Sequence, residues 1–481
     1  MTGNKADLST RSAFTILALA WTVLVALYFH AFRAGYYGED FAWLIWSRES
    51  SFLEIFRSPG GTYFRPLSVR LPYWLFPRLP AGLLLWKFTS FALIGGAAIF
   101  FWRWLEALRV ERKLALFLAV FWMHSPFQCF PLFYVNAFDY VLFPFLLCGF
   151  LYFTEKREWG RGLVFFWLAL LAKEWAIAFP VLLLFFGENR PKGKMLVAYL
   201  ASPIVFSLWS GLFTGGGAVA GFIPGFQPAS VFKSMAFFSS RTFSPGFVEQ
   251  PLFAWGWFIA AGILWVAGLA ALMGKRLTAG PVPRLLGCLV VLFTPFFFLS
   301  NLQSEFLGGV FWLFLLAIAA IGLIEASRNL LLGTFALAVT GLLVSLPAER
   351  IELHRRFASY AHVFDFTLSR AQLFAGKCDP GVQVAWGGME KLVKNQEEAE
   401  HAIWGLRWKF PGRDFFLIKD PASFQENRVI LAHRQFWIDR EAAVEMLVLE
   451  TIKNNRGTEV FSPTRGTPGC GLPGGKDTIG I

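Results

Sequence analysis

Two adjacent acidic residues, Glu39 and Asp40, are the strongest candidates for chemistry in this sequence of 481 residues. They follow the first long apolar run after only a few residues. Two carboxylates beside a membrane are costly unless they are solvated, paired or functional. A carboxylate placed there can act as a general base. The structural alternative is the start of a helix, because acidic residues favour the first turn and Asp caps it.

Arg65 is the candidate for binding an anion. It precedes Pro66, which disfavours the helical region for the preceding residue, so we expect Arg65 to be extended. An extended backbone can direct the guanidinium towards a phosphate. The alternative is an arginine whose charged end reaches out to lipid headgroups.

An adjacent pair of opposite charges, Lys173 and Glu174, interrupts the apolar run over 162–187. Ionisable residues inside such runs are rare and usually face a cavity. The functional interpretation is that this pair belongs to a site or supports one. The alternatives are a structural ion pair and a turn that reaches water.

Three further polar residues are supporting candidates. Asp139 begins a predicted helix after a short turn, and capping that helix is the favoured interpretation. His124 precedes a Ser-Pro dipeptide and either binds a phosphate or packs at the interface, and we favour packing. Glu305 lies in a short predicted turn, where a solvated acid is a simpler interpretation than a cavity residue. There is no CxxC or HExxH spacing in the sequence, so no metal site is signalled.

The elements that position these residues are apolar helices. Hydrophobic residues make up 56% of the chain and charged residues 16%, whereas soluble domains are about 25% charged. Much of the surface must therefore face lipid. The formal net charge of +12 comes mostly from basic clusters between apolar runs, a pattern typical of cytoplasmic loops rather than of nucleic-acid binding. The composition predicts an all-α polytopic membrane protein.

Each long apolar run predicts a membrane helix, because lipid offers the backbone no hydrogen-bond partners. The runs are 12–32, 83–105, 114–127, 138–154, 162–187, 195–213, 251–273, 285–300, 307–325 and 330–346. Basic clusters flank 162–187 at both ends. We interpret this run as a hairpin of two short helices that turns at Lys173 and Glu174, which gives about eleven membrane helices.

The basic clusters also predict the orientation. Placing them in the cytoplasm puts the N-terminus inside, and both the 33–82 loop and the C-terminus outside. Within that loop, apolar residues at helical spacing predict two short interfacial helices. The second begins at Ser51, with Glu54 at the spacing of a capping box.

The sequence predicts two domains. Residues 1–346 form the membrane module, and residues 347–481 form a small extracytoplasmic α+β domain that ends in a Gly/Pro-rich tail. The expected strands are 380–387 and 414–419, and the expected helices are 388–404 and 440–454. Cys378 and Cys470 could form a disulfide if this domain lies outside the cytoplasm.

Four short motifs resemble, in matching order, the GT-C superfamily of membrane glycosyltransferases, which includes the protein O-mannosyltransferases and the bacterial aminoarabinose transferase. The resemblance covers roughly residues 10–350. The motifs are Glu39-Asp40; Arg65-Pro66-Leu67; His124-Ser125-Pro126 followed by Asp139; and Lys173-Glu174 followed by Pro180. In many relatives the acidic pair starts with Asp. The reversed order here leaves open which carboxylate is the base, and we favour Asp40.

The resemblance implies an inverting sugar transfer on the extracytoplasmic face of the bacterial inner membrane. The donor would be a polyprenyl-phosphate sugar and the acceptor a glycan, lipid or protein. Asp40 or Glu39 would deprotonate the acceptor hydroxyl, and Arg65 and Lys173 would stabilise the leaving phosphate. The supporting residues would be Glu174, Asp139, His124 and Glu305. Relatives differ in whether they need a divalent cation, and an acidic pair permits either.

Other functions stay open at this point. A transporter or lipid flippase also predicts buried charges, but it would be expected to have similar paired halves, and the sequence shows no internal repeat. A polysaccharide polymerase or ligase would share the lipid-linked donor. A non-enzymatic scaffold would use the C-terminal domain as its binding module.

Overall fold

The computed structural model divides the chain into two compact units. The first comprises residues 1–33 and 51–355, and the second residues 34–50 and 356–481. Within them, the structure describes residues 8–36, 40–57, 64–183, 190–210, 251–273, 281–298, 308–324, 330–347, 349–351, 353, 383–387, 408, 415–417, 428–438 and 441–452.

The first unit is helical throughout its described residues. Its α-helices are α1 (Thr10–Leu27), α3 (Leu71–Leu75), α4 (Gly82–Ala107), α5 (Arg112–Met123), α6 (Pro126–Phe133), α7 (Asp139–Glu155), α8 (Trp159–Ala172), α9 (Phe179–Leu182), α10 (Lys194–Ser210), α11 (Pro251–Met273), α12 (Val282–Phe298), α13 (Gly308–Leu323) and α14 (Leu330–Ile351); α2 (Asp40–Glu49) belongs to the second unit. Short 3₁₀ helices cover Phe29–Arg33, Phe52–Phe56, Phe76–Arg78, Val135–Phe138 and Glu174–Ala178, and a π-helix covers Pro66–Arg70.

Among the described residues, five helical segments are long and apolar enough to cross a membrane. They are Thr10–Leu27, Gly82–Ala107, Arg112–Phe133, Val135–Glu155 and Leu330–Ile351. Such segments satisfy their backbone hydrogen bonds internally, as lipid requires. The prediction of an all-α polytopic membrane protein is confirmed, while the total of eleven membrane helices stays a prediction.

Two predicted helices contain breaks at polar residues. The run predicted over 114–127 ends as α5 at Met123 and resumes as α6 at Pro126. Proline favours an extended residue before it, and Ser125 is extended, with φ −69° and ψ 148°. In the run over 162–187, α8 ends at Ala172 and Lys173 is extended, with φ −159° and ψ 130°. The helix thus breaks where the sequence predicts a turn, while the hairpin of two membrane helices stays a prediction.

A buried lysine joins α4 to the end of α6. The Lys87 ammonium group donates to the carbonyl oxygens of Leu132 at 2.9 Å and Phe133 at 2.7 Å. These are the last two residues of α6, whose carbonyls have no partner within the helix. A cation at a helix C-terminus also complements the helix dipole. Lys87 therefore fixes the end of α6 against α4.

Two helices end in the same way, with an arginine in the left-handed region. After α4, Arg109 has φ +65°, and the Val110 amide donates to the Leu105 carbonyl at 3.0 Å. After α7, Arg157 has φ +60°, and the next amide donates to the Phe153 carbonyl at 2.8 Å. This is the Schellman pattern, in which glycine usually occupies the left-handed position.

Replacing Arg109 or Arg157 by glycine is expected to stabilise the protein. Glycine adopts a left-handed backbone without the steric cost that other residues incur, which is about 1 kcal/mol. Each variant should therefore raise the melting temperature of the purified protein in detergent. The control is Arg161→Gly inside α8, which should lower it. Lower melting temperatures for both Schellman variants would contradict the prediction.

The second unit combines α2 with a four-stranded sheet. Its strands are β1 (Gln383–Gly387), β2 (Phe415–Leu417), β3 (Arg428–Ile438) and β4 (Glu441–Ile452), in the spatial order β2-β1-β3-β4. β1 runs parallel to β2 and β3, and β3 runs antiparallel to β4. Trp408 contacts the α2 region, since its ring lies 6.2 Å from that of Tyr36 and its carbonyl accepts from Arg48 at 2.5 Å.

One predicted element of this unit is wrong. Strands β1 and β2 lie within the predicted strands, but the predicted helix over 440–454 is strand β4. Its Glu, Ala, Met and Leu residues favour helix locally, yet pairing with the whole length of β3 decides the conformation. The predicted helix over 388–404, Cys378 and Cys470 lie outside the described residues.

Candidate functional site

Four of the predicted site residues meet in one ionic network. Arg65 binds Glu174 with two hydrogen bonds, Nε to Oε2 at 2.8 Å and Nη2 to Oε1 at 2.5 Å. Arg65 Nη1 also donates to Asp139 Oδ2 at 2.9 Å. Lys173 Nζ donates to the same Asp139 oxygen at 2.5 Å. Three separate segments of the chain thus supply two cations and two carboxylates.

Local structure explains how these segments meet. Arg65 directly precedes the π-helix Pro66–Arg70, Asp139 is the first residue of α7, and Lys173 follows the last residue of α8. The Ser68 hydroxyl donates to the carbonyl of Ala172 at 2.5 Å. That carbonyl is one of those left without an intrahelical partner at the end of α8. Ser68 therefore holds the loop of Arg65 against the break in front of Lys173.

The network has a buried half and an accessible half. The side chains of Asp139 and Lys173 are 1% and 2% exposed, while those of Arg65 and Glu174 are 16% and 27% exposed. Burial lowers the pKa of Arg65, but the Glu174 and Asp139 carboxylates outweigh it and raise that pKa above its ordinary value. Arg65 is therefore a permanent cation, and part of its side chain is exposed.

Aromatic rings surround the buried lysine. Lys173 Nζ lies 3.5 Å from the centroid of the Tyr140 ring and 4.7 Å from that of the Trp175 ring. Such contacts stabilise a cation by about 0.5–2 kcal/mol. Neither aromatic residue was identified from the sequence. Their positions could have identified them, because each directly follows a charged site residue, Asp139 or Glu174.

Asp139 does not cap α7, so that interpretation is wrong. Phe138 occupies the N-cap position without a side-chain hydrogen bond, and Asp139 Oδ2 is shared by Arg65 and Lys173. Hydrogen bonds to charged donors are stronger than those to backbone amides. Among the described residues, Asp139 Oδ1 has no hydrogen-bond partner. The network thus contains a buried acceptor that is still available.

Asp40 is the first residue of α2, in the second unit, and is 0% exposed. Burial raises the pKa of the nearby Tyr36, and the negative charge of Asp40 raises it further. Its place in the first turn of α2 fits the structural alternative, and its role as a general base stays a prediction. Glu39 and Glu305 lie outside the described residues.

His124 lies in the break between α5 and α6 and is buried. Its Nδ1 lies 2.9 Å from the carbonyl oxygen of Val120. Among the described residues, its Nε2 has no hydrogen-bond partner, and His124 makes no hydrogen bond to the four-residue network. Within all the residues that the structure describes, no group of three or more His, Cys, Asp or Glu side chains could hold a metal ion.

Comparison with known proteins identifies the fold. No protein-family model matches the sequence, and no curated protein matches it. The structure is similar to the crystal structure of ArnT from Cupriavidus metallidurans in the apo state. The similarity has a TM-score of 0.50 at 14% sequence identity, and it covers 86% of this chain and 87% of that one. ArnT is an aminoarabinose transferase with the GT-C fold. The predicted GT-C-like fold is therefore confirmed.

Proposed function

We propose that this protein is an inner-membrane glycosyltransferase that uses a sugar linked to a polyprenyl phosphate. The acceptor would be a hydroxyl group of a glycan, lipid or protein on the extracytoplasmic face. The observation that carries the proposal is the network of Arg65, Asp139, Lys173 and Glu174 within a fold similar to that of ArnT. Buried ion pairs contribute little net stability, so a functional role explains their presence better.

The network suits a lipid phosphate as the leaving group. That phosphate is stable as an anion, so it needs positive charge rather than a proton when its bond to the sugar breaks. Arg65 supplies a planar guanidinium, which matches phosphate geometry. Glu174 is its more exposed partner, and the substrate phosphate would displace this carboxylate. Lys173 would keep its ion pair with Asp139, and its positive charge would further stabilise the phosphate.

The proton of the acceptor needs a base. In the proposed reaction, Asp40 or Glu39 takes the acceptor proton, the acceptor oxygen forms a bond to the anomeric carbon, and the bond from that carbon to the phosphate oxygen breaks. The electron pair leaves with the phosphate, and the configuration inverts. Of the two carboxylates, we favour Asp40.

A flippase or transporter is the second candidate. Helices broken at polar residues are typical of transporters, and α5 and α8 both end at such breaks. A flippase would move the lipid-linked sugar across the membrane without cleaving it. The two functions therefore differ in whether the sugar leaves its lipid.

The deciding experiment compares cells with and without this protein. Polyprenyl-phosphate sugars and surface glycans are extracted from both. We expect one donor to accumulate and one sugar to disappear from the glycans when the protein is absent. No change in either pool would overturn the proposal. The purified protein in liposomes, supplied with the accumulated donor and an acceptor extract, should release polyprenyl phosphate; movement without cleavage would instead identify a flippase.

A further inference from the structure

A second polar site lies at the other end of α7 from Asp139. It is a cavity of about 610 Å³, lined by residues that include Arg103, Glu106, Arg112, Tyr152 and Lys156. Tyr152 and Lys156 occupy the last turn of α7 and the position after it. At 1.5 Å per residue, Tyr152 lies about 20 Å along the helix from Asp139. The cavity is therefore separate from the ionic network, and its role is independent of the proposed transfer reaction.

The two arginines of this cavity are held in place before any ligand binds. The Glu106 carboxylate accepts from Arg103 at 2.9 Å and from Arg112 at 2.6 Å. Arg112 also donates to the carbonyl of Leu8 at 2.7 Å, and the Arg103 guanidinium lies 4.6 Å from the ring centroid of Trp102. Side chains fixed in this way lose little conformational entropy when an anion binds.

Positive charge is in excess around the cavity. The acids Glu155 and Glu158 are already paired, with Arg284 at 2.8 Å and Arg161 at 2.6 Å respectively. Lys156 lines the cavity and is exposed, and within the described residues no ion pair involves it. The cavity lining combines Lys156, Arg103 and Arg112 with only two acids, Glu106 and Glu111.

The two Schellman turns add to this charge. They follow α4 and α7, the same helices whose ends line the cavity, and each holds an arginine where glycine would be less strained. Strained backbone positions are found preferentially at functional sites. Arg109 and Arg157 directly neighbour the lining residues Val110 and Lys156 in the chain, and each holds its left-handed backbone at a cost of about 1 kcal/mol.

We propose that this cavity binds the phosphate group of an anionic phospholipid. Arg112 and Lys156 would bind the phosphate, and Tyr152 would offer its hydroxyl. The lipid source is favoured because the cavity opens at the ends of α4 and α7, which lie in segments apolar enough to cross a membrane. Basic pockets between such helices bind anionic headgroups. A soluble phosphate shares this chemistry, so the test must separate the two sources.

The test uses the full-length protein in a neutral detergent. The probes are dioleoylphosphatidylglycerol, dioleoylphosphatidylcholine and inorganic phosphate, each added separately. Retained lipid is counted by native mass spectrometry, and melting temperature is measured in parallel. Phosphatidylglycerol should be retained and raise the melting temperature by about 3 °C or more, whereas phosphatidylcholine should do neither. An equal effect of inorganic phosphate would overturn the lipid assignment.

Two charge-reversal variants localise the binding. Lys156→Glu should reduce phosphatidylglycerol retention about tenfold, which corresponds to losing roughly 1.4 kcal/mol of binding free energy. Lys192→Glu makes the same charge change at another exposed lysine that does not line the cavity, and it should retain the lipid as the unaltered protein does. Both positions are exposed, so both variants should melt normally without lipid. Equal losses in the two variants, or no loss in either, would overturn the proposal.

Discussion

Replacing Asp40 by asparagine is expected to reduce sugar transfer by about a hundredfold to ten-thousandfold, the usual contribution of a general base. Asparagine keeps the size of the side chain but cannot take the acceptor proton. The donor would still bind, so kcat should fall while KM for the donor changes little. The measurement is release of polyprenyl phosphate by purified protein in liposomes, with equal amounts of variant and unaltered protein.

Two matched variants make this result specific. Glu49→Gln removes a carboxylate from the exposed end of the same helix and should leave transfer unchanged. Glu39→Gln tests the neighbouring acid, and a larger loss there than at Asp40 would move the role of base to Glu39. Full activity of both Asp40→Asn and Glu39→Gln would remove the carboxylate base from the proposed mechanism.

Replacing Arg65 by glutamine should have the second large effect, on both stability and transfer. The change leaves Glu174 and Asp139 without their shared cation. Breaking a buried ion pair by removing one partner costs about 3–5 kcal/mol. The melting temperature should fall clearly, and transfer should be lost because the leaving phosphate has no guanidinium to bind. Thermal unfolding in detergent and the liposome assay measure the two effects.

The double variant Arg65→Gln with Glu174→Gln separates these effects. Removing the unpaired carboxylate should restore part of the melting temperature, because the two residues contact each other and their effects are not additive. Transfer should stay lost, since the phosphate still lacks its cation. Arg284→Gln breaks a different ion pair of similar exposure and should preserve transfer. Recovery of transfer in the double variant would show that Arg65 is only structural.

The sequence predicts the apolar helices because their cause is local. Lipid leaves the backbone no external partners, so each apolar run must close its own hydrogen bonds. The break at Lys173 is also local, because a charged pair cannot continue an apolar helix in lipid at low cost. The helix start at Ser51 is local too, because a capping box needs only residues three positions apart. The Ser51 amide donates to the Glu54 carboxylate at 3.3 Å.

For the residues of the ionic network, the sequence could predict only that they lie on the same side of the membrane. It could not predict that they contact each other. Arg65 and Glu174 lie 109 positions apart in the chain, and their contact depends on how the π-helix, α7 and α8 pack. Asp139 illustrates the limit, since its position at a helix start matches a cap. Its actual role depends on two distant cations. Strand β4 depends in the same way on its pairing with β3.

Lys87 has a consequence for how the protein is made. Its two carbonyl acceptors lie 45 and 46 positions further along the chain, so they emerge from the ribosome after α4 has been synthesised. Until then, the ammonium group must stay near water, which a long side chain close to a helix end can reach. We therefore expect full insertion of α4 to wait for the arrival of α6, so that this region inserts as one unit of several helices.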